Sequence, residues 1–186
     1  VCELGGQNNA FWKKDGACDS LRQMDQMCRG KALIAALDQS GGSSPKALAE
    51  YGISTNAYHT DAEMLTLIHD MRCRLMTAPA FDGRKIIGAI LFEDTMMRQV
   101  GEISVADYLW NTRNVVPFLK IDKGLEKAQN GVQTLKPIPE LEALLKRATD
   151  AGIFGTKMRS VIHSADANGI AAIVAQQFDI AQTILG

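Results

Sequence analysis

The sequence predicts an α/β fold built on parallel strands, and three observations predict it. Short, almost wholly apolar runs recur along the chain, each followed by a stretch with helical periodicity. Each run ends in charged or small polar residues, the pattern expected where ligand groups collect at the carboxyl ends of parallel strands. The first run is not followed by the Gly-x-Gly-x-x-Gly phosphate loop that usually announces an open doubly wound sheet. A barrel is the other solution. A complete barrel takes eight strand-helix units and about 250 residues, and the 186 residues here carry four such units.

In chain order, Val1 to Lys14 shows no periodicity and reads as a tail. Leu21, Met24 and Met27 have helical spacing, so a short helix is expected over 19–27, ahead of the domain proper. The first strand is the run from Lys31 to Ser40, which reaches Asp38. Ser44 followed by Pro45 starts a short helix that Gly52 ends. Thr60-Asp-Ala-Glu63 has the form of a capping box, and Met64, Leu67, Ile68, Met71 and Leu75 make the apolar stripe of the helix it opens. That stripe reads as core packing rather than as a methionine-rich binding face. The second strand is expected over 85–93, a helix over 104–110, and the third strand over 115–124. A loop containing Asn130-Gly131 leads to a helix with Pro139 near its first turn and Gly152 at its end. The fourth strand is expected over 152–163. Ser164 then caps a last helix whose Ile170, Ile173, Val174, Phe178, Ala181 and Leu185 form a face for the sheet to cover.

The chemistry sits late in these strands. Side chains alternate along a strand, so Lys120 and Asp122 should share one face, and Lys157 and Arg159 another. A lysine inside a sheet is costly unless a carboxylate or an anionic ligand neutralises it. A structural Lys-Asp pair would explain one such strand; cations converging from two strands, with Asp38 and small donors on a third, point to an anion. Asp122 reads as the structural partner of Lys120 or Lys123, and Glu93 divides evenly between structural and functional roles.

Composition narrows the classes. A net charge of -1 leaves no global footprint for nucleic acid or acidic membrane, so any anion binding is local. No apolar run approaches the roughly 18 residues of a membrane helix, and a cytoplasmic location is the default expectation. Cys2, Cys18, Cys28 and Cys73 lack Cys-x-x-Cys spacing and read as reduced, while His59, His69 and His163 form no recognisable zinc site.

Four motifs in order carry a resemblance to a known family. Leu-Asp-Gln-Ser-Gly-Gly-Ser at 37–43, Gly-Ala-Ile-Leu-Phe-Glu at 88–93, Phe-Leu-Lys-Ile-Asp-Lys-Gly at 118–124 and Gly-Thr-Lys-Met-Arg-Ser at 155–160 are similar to the first four strands of class I fructose-bisphosphate aldolase, in its bacterial-type branch. The resemblance covers residues 19–186 and leaves residues 1–18 as an unstructured or non-family N-terminal extension. It implies a TIM (β/α)8 barrel of which this chain supplies the first four strand-helix units. It also implies reversible Schiff-base cleavage of fructose 1,6-bisphosphate to dihydroxyacetone phosphate and glyceraldehyde 3-phosphate, with no metal and no cofactor, in a protein that is a homo-oligomer when full length. By position, Asp38 would be the carboxylate facing the substrate hydroxyls and Lys157 the ammonium that helps form and dehydrate the carbinolamine. Lys120, Arg159 and Lys46 would supply positive charge for the substrate phosphate and for Asp38. The family's Schiff-base lysine and glutamate proton carrier belong to later strands, so the chain is expected to be an inactive portion of the enzyme. Another phosphosugar Schiff-base lyase and a non-catalytic half-barrel module are the alternatives.

Overall fold

The computed structural model describes residues 16–185, so the tail expected over Val1 to Lys14 lies outside the described residues. The chain opens on helix α1 (Gly16–Arg29), longer at both ends than the periodicity of 19–27 indicates. Strand β1 (Leu33–Leu37) is followed by α2 (Ser44–Glu50) and α3 (Asp61–Thr77), and β2 (Ile86–Leu91) by the short α4 (Glu93–Met96). A two-residue ladder of β3 (Gln99–Val100) and β4 (Ile103–Ser104) leads into α5 (Val105–Asp107), which widens into a π-helical turn at Tyr108–Thr112. Then come β5 (Val116–Lys120), β6 (Val132–Gln133), α6 (Leu141–Asp150), β7 (Gly155–Lys157), β8 (Val161–Ile162) and α7 (Ala167–Leu185).

Four of these strands form one sheet in the order β1-β2-β5-β7, parallel at every step. Spatial order follows chain order, and helices make each crossing, as parallel pairing requires. One face is packed: Leu37, Ala89, Leu91, Leu119 and Ile121 join Met76 of α3, Val105 and Leu109 of the α5 region, and Leu144 and Ala148 of α6 in a single core. The other face carries Phe118, which lies between Gly88 and Gly155; a Cβ on either glycine would come within 3.0 or 3.1 Å of its ring. Close approach of the ring requires the missing side chains.

Register places the chemistry. Leu37 pairs with Leu91, Leu91 with Leu119, and Leu119 with Thr156, so these four residues make one row across the sheet. One step further along lie Asp38, Lys120 and Lys157, at the carboxyl ends and on the face opposite the core.

Several local expectations change. The fourth strand is not continuous over 152–163: the parallel sheet stops at Lys157, and Val161–Ile162 pairs antiparallel with Val132–Gln133 instead. The backbone after β7 is drawn to the Asn130-Gly131 turn, where Gly131 carbonyl accepts from His163 N–H at 2.7 Å. Asp166, not Ser164, caps α7, its Oδ1 accepting Gly169 N–H at 2.8 Å. At α3, Thr60 Oγ1 accepts Glu63 N–H as expected, but Glu63 reaches His59 N–H, one residue before the position a capping box uses. The buried row of α3 is Met64, Ile68, Arg72 and Met76 with Met71 beside it, while Leu75 is exposed. On α7 the packed residues are Ile173, Ile180 and Ile184, whereas Ile170, Val174, Phe178 and Leu185 face outward rather than onto the sheet.

Candidate active site

The turn after β1, Asp38-Gln39-Ser40, is held by three cations from three other elements. Lys157 Nζ, at the end of β7, donates to Asp38 Oδ2 at 2.7 Å. Lys120 Nζ, at the end of β5, donates to Ser40 Oγ at 3.0 Å. Arg72, on α3, donates from Nη2 to the Gln39 carbonyl at 2.6 Å and to Gln39 Oε1 at 3.3 Å. Alternation along the turn explains the sides: Asp38 and Ser40 look onto the open face, and Gln39 looks back toward α3.

The Asp38–Lys157 contact has a geometric consequence. β1 and β7 are the two edges of the sheet, three inter-strand steps apart, which in a flat sheet is about 14 Å at the usual spacing of 4.7–4.9 Å. The side chains meet because the sheet curls with this face inside. The pair is partly sheltered, with Lys157 31% and Asp38 12% exposed.

Lys120 is more enclosed and also pairs with Asp122, at 3.3 Å to Oδ1 and 3.3 Å to the main-chain carbonyl. Strand β5 ends before Asp122, so the pair closes over a turn rather than along a strand. The second oxygen of Asp122, Oδ2, is buried with no hydrogen-bond partner. Glu93, at the start of α4, accepts Lys123 at 3.3 Å and Arg147 at 2.7 Å, bridging three segments at the same end of the sheet. Burial pushes its carboxyl up, and the bonds from Arg147 and Lys123 outweigh burial, leaving it below the usual carboxylate range.

Two expected members are not brought into the cluster. Lys46 sits on α2, 80% exposed, 3.8 Å from Glu50 one helical turn away. Arg159 lies beyond the end of β7 and is exposed, so it does not share a strand face with Lys157. Conversely, Arg72 joins the cluster although it is not among the residues expected there. Its signal was the i, i+4 row Met64, Ile68, Arg72, Met76, a lone cation where the helix buries every fourth residue. Burial pulls the guanidinium down to about 10, opposed by the nearby charges of Asp38 and Asp94, so it is still protonated at neutral pH.

Chemically, the cluster offers a carboxylate bonded to an ammonium, a second ammonium beside a hydroxyl, and an open concave surface in front of them. Among the described residues no group of three His, Cys, Asp or Glu side chains is placed to hold a metal ion, and no helix is long and apolar enough to cross a membrane. A cavity of about 710 Å³ lies at the opposite, amino-terminal end of the strands, against Gly30, Ile87, Trp110 and Asn114, away from this chemistry.

No family model matches the chain. Among curated proteins it is similar to the class 1 fructose-bisphosphate aldolase of Clostridium acetobutylicum, 55% identical over 162 residues, which is 87% of this chain and 55% of that protein. The chain is a homologue of the class 1 fructose-bisphosphate aldolases. The aldolase of the same name from a Synechocystis strain is 54% identical over 163 residues, 88% of this chain and 54% of its own length. The chain thus spans about half the length of the curated aldolases it matches. The fold agrees: fructose-bisphosphate aldolase from Plasmodium falciparum, solved with TRAP and a small-molecule inhibitor, superimposes with a TM-score of 0.60 at 21% identity, over 94% of this chain and 51% of that one. A curled parallel sheet with helices on its outer face is what a partial TIM-barrel-like aldolase fold presents.

Proposed function

We propose that this chain is the first half of a Schiff-base fructose-bisphosphate aldolase, contributing four of the eight strand-helix units of a TIM barrel and part of its charged pocket. The observation that carries the proposal is the Asp38–Lys157 bond across the curled sheet, with Lys120 beside it on Ser40. A bisphosphate sugar needs fixed positive charge on a concave face, and cleavage through an imine needs groups that move protons where the amine adds.

In this reading a lysine from the second half of the barrel attacks the substrate ketone. Lys157 gives a proton to the departing carbinolamine hydroxyl, water leaves, and an iminium ion remains. A carboxylate from the second half then takes the proton of the hydroxyl next to the scissile carbon-carbon bond, the bond breaks with its electron pair moving into the iminium as an enamine, and the aldehyde departs. Protonation of the enamine and hydrolysis of the imine release dihydroxyacetone phosphate and the lysine. Asp38 orients the hydroxyls next to that carbon-carbon bond and holds Lys157 in place through their 2.7 Å hydrogen bond. Lys120 and Ser40 serve a phosphate, and Arg159 and Lys46 contribute only if substrate or the second half draws them in. Neither Lys120 nor Lys157 is the nucleophile. The complete enzyme is read as a cytoplasmic, glycolytic homo-oligomer.

The test is to join this chain to the second half of the Clostridium acetobutylicum relative and follow cleavage of fructose 1,6-bisphosphate. Lys157→Ala should lower turnover by about 10²- to 10⁴-fold, the usual cost of losing a positioned proton-transfer group; unchanged turnover would remove Lys157 from the mechanism. The unjoined chain, incubated with dihydroxyacetone phosphate and reduced with borohydride, should yield no stoichiometric adduct. A saturable adduct on Lys120 or Lys157 would overturn the assignment of roles.

A further inference from the structure

Arg72 is fully buried, the largest side chain in the described structure to be so. A methionine there would complete the apolar row of α3 without desolvating a charge, and replacing buried ionic groups by apolar ones of similar size is often neutral or stabilising. What the guanidinium does that an apolar side chain cannot is align acceptors. Nη1 donates to Thr95 Oγ1 at 2.5 Å and Nη2 to the Gln39 carbonyl at 2.6 Å, so one planar group ties the segment that follows β2 to the turn that follows β1. Thr95 is itself fully buried, leaving its hydroxyl no alternative in water. Gln39 is fastened a second time by its own side chain, which donates to the Ala36 carbonyl at 3.2 Å. The residue held from behind therefore lies between the two that face the open side, Asp38 bonded to Lys157 and Ser40 bonded to Lys120.

We propose that Arg72 is a positioning residue: from inside the core its forked guanidinium fixes the peptide of Gln39, and through it sets the direction in which Asp38 and Ser40 meet Lys157 and Lys120. The inference rests on the aldolase reading for its catalytic consequence, but not for its geometry. Released from Arg72, the turn loses the two bonds that tie Gln39 to α3, and Asp38 no longer sits opposite Lys157.

Two measurements separate the geometry from the catalysis. In the chain itself, competitive acetylation of lysines read by peptide mass spectrometry should show Lys157 labelling faster in Arg72→Met by about two- to fivefold, the change expected when a partly exposed ion pair is lost. Lys146, paired with Asp150 on the distant α6, should be unaffected and serves as the internal reference, and a retained cooperative thermal transition reports that the fold persists. If Arg72→Met does not fold, Thr95→Val decides, since it keeps the charge and removes one acceptor; it should move Lys157 labelling in the same direction. Unchanged Lys157 labelling in a folded variant overturns the proposal.

In the joined barrel, Arg72→Met should lower kcat by about 10- to 100-fold with little change in KM, because a displacement near 1 Å can cost that much. Arg72→Lys, which keeps the charge but loses the fork, should resemble Arg72→Met; full activity would show that charge alone suffices and overturn the role of the fork. Asp38→Asn in the same barrel tells the two failures apart. If it leaves turnover intact the aldolase role of Asp38 is wrong; if it abolishes turnover while Arg72→Met does not lower kcat, the inference about Arg72 is wrong.

Discussion

The outward face of α7 should make the chain associate with itself, and the structure sets the size of the effect. Val174 and Phe178, one helical turn apart, are 62% and 61% exposed, on a helix that also exposes Ile170 and Leu185. Burying such a side chain completely is worth about 1.5–3 kcal/mol, so covering the exposed three-fifths is worth about 1–2 kcal/mol for each. Removing both by Val174→Glu with Phe178→Lys should therefore cost about 2–4 kcal/mol of association, a rise of about 30- to 700-fold in dissociation constant. The pair of substitutions places glutamate four residues before lysine, an orientation that supports the helix, so the fold should survive. Sedimentation velocity from about 1 to about 100 μM is the assay, chosen because the freedom lost on association keeps modest apolar patches in the weak-binding range. A sharp monomer boundary over the whole range, or identical association in the variant, would refute the reasoning.

Two further outcomes follow from particular contacts. Glu93 has its folded pKa below its unfolded value of about 4.3, so the stability it contributes is present above the unfolded value and is lost as pH falls through the lowered one. The Tm advantage of the unsubstituted chain over Glu93→Gln should accordingly be full near neutrality and vanish in acid; an advantage that persisted at low pH would contradict this. At Gly169, an added Cβ would lie 2.1 Å from the Asn130 carbonyl oxygen and 2.8 Å from Val132. Gly169→Ala should therefore destabilise by about 1–3 kcal/mol, seen as a fall of about 2–12 °C in Tm for a chain of this size, and an unchanged Tm would show that α7 is not seated on that loop.

Much of this protein was legible in one dimension because it depends on short-range periodicity. Apolar runs bounded by turn residues marked β1, β2 and β5, and period two put Lys120 and Lys157 late in their strands, where register later made them neighbours. Ser44-Pro45 and Gly52 bounded α2, and Gly152, at φ 81, ended α6. Glu93 was left between two roles by the sequence, and its two cationic partners are 30 and 54 residues away in the chain.

Contacts set by curvature and by competition for backbone partners were not legible. Alternation predicts that Lys157 and Arg159 share a face only if the strand continues, and the strand stops at Lys157 because β8 finds its partner in β6 instead. Nothing in the residues near Asp38 indicates that its ammonium partner is 119 positions away, since that bond exists only where the sheet curls enough for its two edges to meet. Arg72 is a lone cation in the i, i+4 row Met64, Ile68, Met76, but only the orientation of α3 makes that row the buried one, because helical periodicity reports which residues lie together but not which side faces the core. The sequence by itself therefore determined the four strands of the parallel sheet up to the point where β7 ends, their order, and the charged groups at their carboxyl ends. Which of those groups touch, and that a buried arginine holds the turn between them, was decided by tertiary structure, because the distances involved are set by sheet curvature and helix orientation rather than by spacing along the chain.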